Sequence, residues 1–256
     1  LKPIAANTNG IFECLEKGAE YIHWDEKRKA YQNQTGDIRR GVGMALFSYK
    51  TGVWPISLEI AGARLSLNQD GSVQLQVGAI GQGADTVFSQ MAAETLHMDI
   101  SRVHIVTQQD TDVTPFDTGA YASRQSFVTG TAVKECAQQL KQKILEYART
   151  LVPGNVDRLE PEDGYILADG KPAISLEDLA MESYYSLSNS SVLTAEVSRQ
   201  VKKNTVASGC CFAEVEVDMK LGKIKVLDIV NVHDSGTLLN PQLAAMQVHG
   251  GMFMGI

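Results

Sequence analysis

Three glycines and one glutamine, Gly78, Gly81, Gln82 and Gly83, interrupt the stretch VGAIGQGADTVFSQMAAETL over residues 77–96. Bare backbone of this kind has two uses. Ahead of a helix whose first N–H groups lack partners, it lets an anion or a flat ring come close to those groups, and Gln82 adds an amide donor and an acceptor. Alternatively, Gly81 and Gly83 serve only the dihedral angles of a tight turn. The spacing excludes two familiar phosphate seats. No Gly-Lys-Ser/Thr follows, and the glycines miss the G-x-G-x-x-G pattern of a dinucleotide turn.

Other reactive side chains do not assemble into a complete catalytic set. Asp110, Asp112 and Asp117 in DTDVTPFD lack the glycine and terminal glutamate of a calcium loop, and read as caps that pin a polar loop. His233-Asp234 in VHDSG invites comparison with a hydrolase metal pair, but His23, His97, His104 and His249 lack the supporting spacing. Ser123 has no nucleophile elbow around it and no histidine and acid to pair with. Cys14, Cys136, Cys210 and Cys211 form no C-x-x-C pair, and the adjacent Cys210 and Cys211 fall on opposite faces of a strand. Metal or iron–sulfur ligation by this chain is therefore not expected, and the thiols read as reduced and mostly buried.

The elements that must carry these residues follow from periodicity. Val73, Leu75 and Val77 alternate with Gln74 and Gln76, whereas Phe88, Met91, Ala92, Thr95 and Leu96 recur at helical spacing, so the glycines lie between a strand and a helix. Asn9 to Tyr31 reads as one opening helix, capped by Asn9, with Phe12, Leu15, Ala19 and Ile22 on its buried face. RRGVGMALFSYKTG reads as a strand, and Asp70-Gly71 joins two alternating runs into a hairpin. RVHIV is a further short strand before the polar loop TPFDTGAYASRQ, which opens onto a long helix, SFVTGTAVKECAQQLKQKILEYARTLV. Residues 153–204 are rich in turn formers, carry a short helix candidate over Ser175 to Met181, and read as a connecting excursion. A second hairpin turns at Lys220 to Lys223, and Asn240-Pro241 opens a last helix. Helices and antiparallel hairpins mix without regular alternation, which makes the fold α+β.

With 256 residues, 44% of them hydrophobic, the chain can bury one large core or two modest ones. A formal net charge of -7 argues against nucleic acid and anionic membrane as partners. No run approaches the length of a membrane span, and a cytoplasmic location is expected. The first residue is Leu1, and the terminal VHGGMFMGI would make a poor exposed tail, so the sequence reads as a piece of a longer polypeptide.

Taken together, GQGADTVFSQMAAETL, DTDVTPFDTGAYASRQSFVTGTAV and NVHDSGTLLNPQLAAMQVHGGMFMGI resemble the molybdenum-cofactor subunit of the xanthine dehydrogenase and aldehyde oxidase family, the bacterial xanthine dehydrogenase subunits in particular. The resemblance implies a molybdopterin-binding domain that serves hydroxylation of a purine such as xanthine or hypoxanthine, or of a related heteroaromatic or aldehyde, with water-derived oxygen. It implies a molybdenum–molybdopterin cofactor, in its cytosine dinucleotide form. Iron–sulfur clusters and FAD are expected on partner domains or subunits, and the assembly is expected to be oligomeric. Gly81, Gln82 and Gly83 match the turn against the pterin, flanked by Gly78 and Ile80, and Ile80 is expected to join them at the cofactor. Ala120, Ala122, Ser123, Arg124 and Gln125 match the segment that runs past the metal toward the phosphates, with Arg124 suited to a phosphate and Tyr121 and Ala122 at the substrate pocket. Gln247 matches a cofactor-binding glutamine of the closing helix. Many relatives carry a longer loop with a threonine and a glutamate where this chain has only Gly78-Ala79-Ile80. The family's general-base glutamate is expected beyond Ile256, so residues 1–256 amount to about half of a cradle and are not expected to turn over substrate alone. A cofactor-free interaction scaffold or a cofactor-storage protein derived from the same fold is the alternative.

Overall fold

A computed structural model describes residues 9–256. They form two compact units, Gly52–Lys203 and a second made of the described residues up to Thr51 with Asn204–Ile256.

The Gly52–Lys203 unit is built on a four-stranded sheet. Strands β2 (Ile60–Leu67) and β3 (Val73–Val77) pair antiparallel across the expected hairpin, with Leu65 opposite Leu75. Asp70 fixes its turn: its carboxylate accepts the Ser72 hydroxyl and, at 2.9 Å, the Ser72 N–H, and these bonds hold its pKa below the ordinary carboxylate value. From β3 the chain crosses over through helix α3 (Ala84–Leu96) and returns as β4 (Val103–Val106), which pairs parallel to β3. The sequence reading foresaw only hairpins; a helix of 13 residues between the two strands is what permits the parallel return. Helix α4 (Gln125–Leu151) packs on α3 and β2, and its small residues let it come close: a Cβ at Gly130 would stand 2.8 Å from the Met91 sulfur. Leu65, Leu75, Phe88, Val128 and Leu140 are fully buried between these layers.

Residues 153–204 hold more than a connection. Strands β5 (Leu159–Glu162), β6 (Tyr165–Ala168) and β7 (Lys171–Ser175) form a small antiparallel sheet, followed by α5 (Leu176–Tyr185), where Ser175 caps the Asp178 N–H at 3.0 Å. Then β8 (Thr194–Gln200) completes the main sheet in the order β4-β3-β2-β8. Ala195 and Val197 are buried by alternation, a pattern that the surrounding turn formers hide in sequence.

The other unit is a three-stranded antiparallel sheet, order β1-β9-β10, with β1 (Ile38–Thr51), β9 (Thr205–Asp218) and β10 (Lys223–Asp234). The hairpin between the last two turns where expected, on Asp218, whose carboxylate accepts the Lys220 and Leu221 N–H groups. The opening helix is divided, contrary to the sequence reading. Helix α1 (Ile11–Ile22) ends at His23, whose φ of 59° and ψ of 49° are left-handed, and α2 (Trp24–Ala30) leaves in a new direction. That bend brings the Trp24 ring edge-on to Phe212 at 5.6 Å and places Lys27 and Tyr31 on Glu214. Asn9 does not cap α1; Gly10 does, and its N–H donates to Asp234 at 2.9 Å. The buried face is Cys14, Gly18 and Ile22, while Phe12 is 70% exposed. Helix α6 (Pro241–Met254) starts as expected, with Asn240 accepting the Leu243 N–H at 3.0 Å.

Hydrogen bonds from Lys27 and then Tyr31 lower the Glu214 pKa. A depressed carboxyl pKa adds stability that is present above the ordinary glutamate range and disappears as pH falls through the lowered folded value. Glu214→Gln should therefore melt below wild type at pH 7, by about 2 kcal/mol for hydrogen bonds to a charged group, and the two melting curves should converge in acid.

Candidate functional site

Both loops singled out in the sequence lie in the Gly52–Lys203 unit, and two glutamines join them. The Gln82 side-chain N–H donates to Gln125 Oε1 at 3.1 Å, and Gln125 Nε2 donates to the Gly78 carbonyl at 2.7 Å. Gln125 is the first residue of α4 and is buried, so the long helix sets its position. Gln82 Oε1 in turn accepts the Ile80 N–H at 3.3 Å, which fixes the orientation of the Gln82 amide.

Gly81 and Gly83 have φ of 86° and 92°, so the turn does require them for its dihedral angles. It also leaves donors open. Gly83 is the N-cap of α3 and offers no side chain to the helix's first N–H groups. Among the described residues, no acceptor meets the N–H of Gly81, Gln82 or Gly83. Ile80, Gly81 and Gln82 are exposed, and the space where a Gly81 Cβ would stand is clear within 4 Å.

The second loop is unusual in its backbone. Ala122 and Ser123, neither of them glycine, have φ of 48° and 52°. Left-handed residues of this kind cost about 1 kcal/mol or more each and persist only where the surroundings hold them. Here the Ala122 carbonyl accepts the Gly52 N–H at 2.8 Å, and the Tyr121 carbonyl accepts the Arg124 N–H at 3.1 Å. Helix α4 starts directly afterwards, with Arg124 as N-cap and no side-chain cap. The N–H groups of Ser123, Gln125 and Ser126 meet no acceptor among the described residues. Two helix starts, tied together by Gln82 and Gln125, thus present unmet peptide N–H groups, an arrangement that attracts phosphate and other acceptor-rich anions.

Arg124 requires a correction. The sequence reading offers it to a phosphate, but its side chain is fully buried. Its Nε donates to Glu59, its Nη1 to Asp117 at 2.5 Å and to the Gly119 carbonyl at 2.7 Å, and its Nη2 to the Ile60 carbonyl at 2.9 Å. Burial works against its charge, yet the hydrogen bonds to Glu59 and Asp117 carry its pKa above the ordinary arginine value. It is an internal anchor. Asp117 pins its loop as expected of a capping carboxylate, taking the Gly119 N–H at 2.8 Å and the Thr129 hydroxyl at 2.5 Å. Glu59 and Thr129 were not foreseen; the one signal was a charge inside the apolar run SLEIAGA.

The remaining candidates fall as follows. Ala120 is half-buried, and Tyr121 is exposed with its hydroxyl 3.2 Å from that of Thr118. Gln247 lies on α6, exposed, in the other unit. The His233 ring lies tilted against Phe47, with centroids 4.8 Å apart, and burial lowers its pKa. Cys14, Cys136 and Cys210 are buried, and burial pushes the Cys136 thiol up to about 11. Among the described residues no cluster of three or more histidines, cysteines and acids is arranged to hold a metal ion, and no helix is long and apolar enough to cross a membrane.

Residues 17–256 match the molybdopterin cofactor-binding domain family. The chain is 49% identical over 252 residues to the putative xanthine dehydrogenase molybdenum-binding subunit XdhA of Escherichia coli (strain K12), covering 96% of this chain and 34% of that protein. It is 31% identical to the probable hypoxanthine oxidase XdhD of the same organism, over 99% of this chain and 26% of that one. The chain thus spans about a third or less of these curated relatives. Among solved structures, a Cu,Mo-CO dehydrogenase superposes with a TM-score of 0.81 at 23% identity, covering 97% of this chain and 34% of that one. Quinoline 2-oxidoreductase from Pseudomonas putida 86 gives 0.79 at 22%, covering 93% and 32%; both likenesses are of fold. With a family match over nearly its whole length and its unmet amides gathered at two helix starts, the chain belongs to the molybdopterin cofactor-binding domain family.

Proposed function

We propose that residues 1–256 form part of the cofactor cradle of a molybdenum hydroxylase of the xanthine dehydrogenase kind. The enzyme is an oxidoreductase acting on a purine such as xanthine or hypoxanthine, or on a related heteroaromatic or aldehyde. The observation that carries this reading is the Gln82–Gln125 hydrogen bond, which ties together two loops that each open onto a helix start with unmet N–H groups. The relatives' names support the reaction class.

The residues present fit the group. A pterin needs a flat approach lined by donors and acceptors, and the exposed Ile80-Gly81-Gln82 turn offers bare backbone with a clear space at Gly81. Gln82 retains one amide N–H without an acceptor among the described residues, free to donate to a ring edge. Phosphates are met by peptide N–H groups at Gly83, Ser123, Gln125 and Ser126 rather than by the Arg124 guanidinium, which is fully engaged inside. Ala122 keeps its side chain to one methyl where the chain passes the cofactor, and Tyr121, exposed at the loop's lip, lines the substrate side together with it. When bound, the molybdenum cofactor supplies oxygen transfer and takes up two electrons. Residues 1–256 supply binding and orientation, and this reading assigns them no general base. The same reading takes the cytosine dinucleotide form of the cofactor, iron–sulfur and flavin partners, oligomeric assembly and a cytoplasmic location.

The test is made on the complete enzyme. Wild type should contain molybdenum and release a pterin fluorophore on acid treatment. Gln125→Ala removes the support of both Gln82 and Gly78 and should weaken cofactor retention about tenfold, as for the loss of roughly 1.4 kcal/mol of hydrogen bonding. Absence of both molybdenum and pterin from the wild-type enzyme would overturn the reading.

A further inference from the structure

Glu59 is fully buried and lies outside every motif singled out in the sequence. One carboxylate oxygen accepts the Val53 N–H at 2.5 Å; the other accepts Arg124 Nε. Through that guanidinium Glu59 is joined to Asp117, and Asp117 is held from its far side by Thr129 on α4. One buried cation and two carboxylates, every oxygen of them engaged, therefore bring together the segment before β2, the polar loop and the start of α4.

The consequence lies in the six residues between Asp117 and Arg124. Both ends of that loop are fixed by the same guanidinium, which also takes the Gly119 carbonyl inside it. The loop contains Ala122 and Ser123, whose left-handed backbone relaxes unless held. A planar guanidinium fork, charge-neutralised and rigid, supplies such a hold; an amide or a single point charge in its place does not.

We propose that Glu59 is a positioning residue of the cofactor cradle: by locking Arg124 it keeps the 118–123 loop in the left-handed turn that leaves the Ser123 and Gln125 N–H groups open, so cofactor retention depends on a carboxylate sealed inside the protein. The inference rests on the cofactor reading above.

The experiment compares complete wild-type enzyme with Glu59→Gln and Thr129→Val. It measures molybdenum and released pterin per folded subunit, alongside the melting temperature. Glu59→Gln keeps size and removes charge; it should lower cofactor content per folded subunit at least about fivefold, and Thr129→Val about twofold. Wild-type cofactor content per folded subunit in both variants, even at a reduced melting temperature, would leave Glu59 a purely structural role and overturn the inference. If Glu59→Gln does not fold, Thr129→Val decides alone by the same criterion. Wild-type enzyme without molybdenum and pterin defeats the functional reading itself, and the inference with it, in a separate arm of the same experiment.

Discussion

Arg124→Met should destabilise the full-length protein by about 3–5 kcal/mol, the cost of stripping one partner from a buried ion network. The size of the effect comes from what is left behind. Glu59 and Asp117 are 0% and 6% exposed at their side chains, and without the guanidinium they face each other's charge with only Val53, Gly119 and Thr129 as donors. Methionine fills much of the volume, so lost packing contributes little. Arg124→Lys should fall between the two, because a single ammonium cannot reach Glu59, Asp117, Gly119 and Ile60 together. Combining Arg124→Met with Glu59→Gln and Asp117→Asn removes the uncompensated charge and should recover part of the loss. Denaturant unfolding of the four proteins measures the series; a single variant as stable as wild type would show that the network contributes nothing.

Phe212→Ala should cost a comparable 3–5 kcal/mol or so, for a different reason. Among the described residues the core beneath the three-stranded sheet is small: Cys14, Ile22, Val42, Cys210 and Phe212 are its buried members. Phe212 is fully buried, with the Trp24 ring on one side and α1 on another, so the void it leaves has few neighbours able to collapse into it. Gly18 faces the ring so closely that a Cβ there would stand 2.3 Å from Phe212 Cε2. Gly18→Ala alone should therefore destabilise by overpacking, whereas Gly18→Ala in the Phe212→Leu background should cost less than in wild type. Thermal unfolding of the single and double variants reads the coupling. Additivity would mean that the two side chains do not meet.

What sequence reasoning resolves here is local. The Asp70-Gly71 hairpin, the Lys220 to Lys223 turn, the long helix α4 and the Asn240 cap each follow from residues within a few positions of one another. The failures share a different cause. His23 breaks the opening helix because Trp24, Lys27 and Tyr31 find Phe212 and Glu214, residues near the far end of the chain. Strand β8 belongs beside β2, whose sequence lies far upstream, and no turn signal announces such a pairing. The resemblance offers Arg124 to a phosphate; Glu59, 65 residues earlier, and Ile60, together with the nearer Asp117 and Gly119, hold it inside instead. The resemblance assigns Gln82 and Gln125 to one cofactor, but the bond between them spans 43 residues and nothing in the sequence announces it.

Thr51 at the end of β1 pairs with Thr205 at the start of β9, so the polypeptide leaves the three-stranded sheet and re-enters it at neighbouring points. On the ribosome, β1 must wait with no sheet partner while everything from Gly52 to Lys203 is synthesised. Until β9 emerges, the β1 segment lacks the strand it pairs with and is open to capture by other chains. Biogenesis of this region therefore sets its own order, with the interrupting segment maturing first and the split sheet closing last.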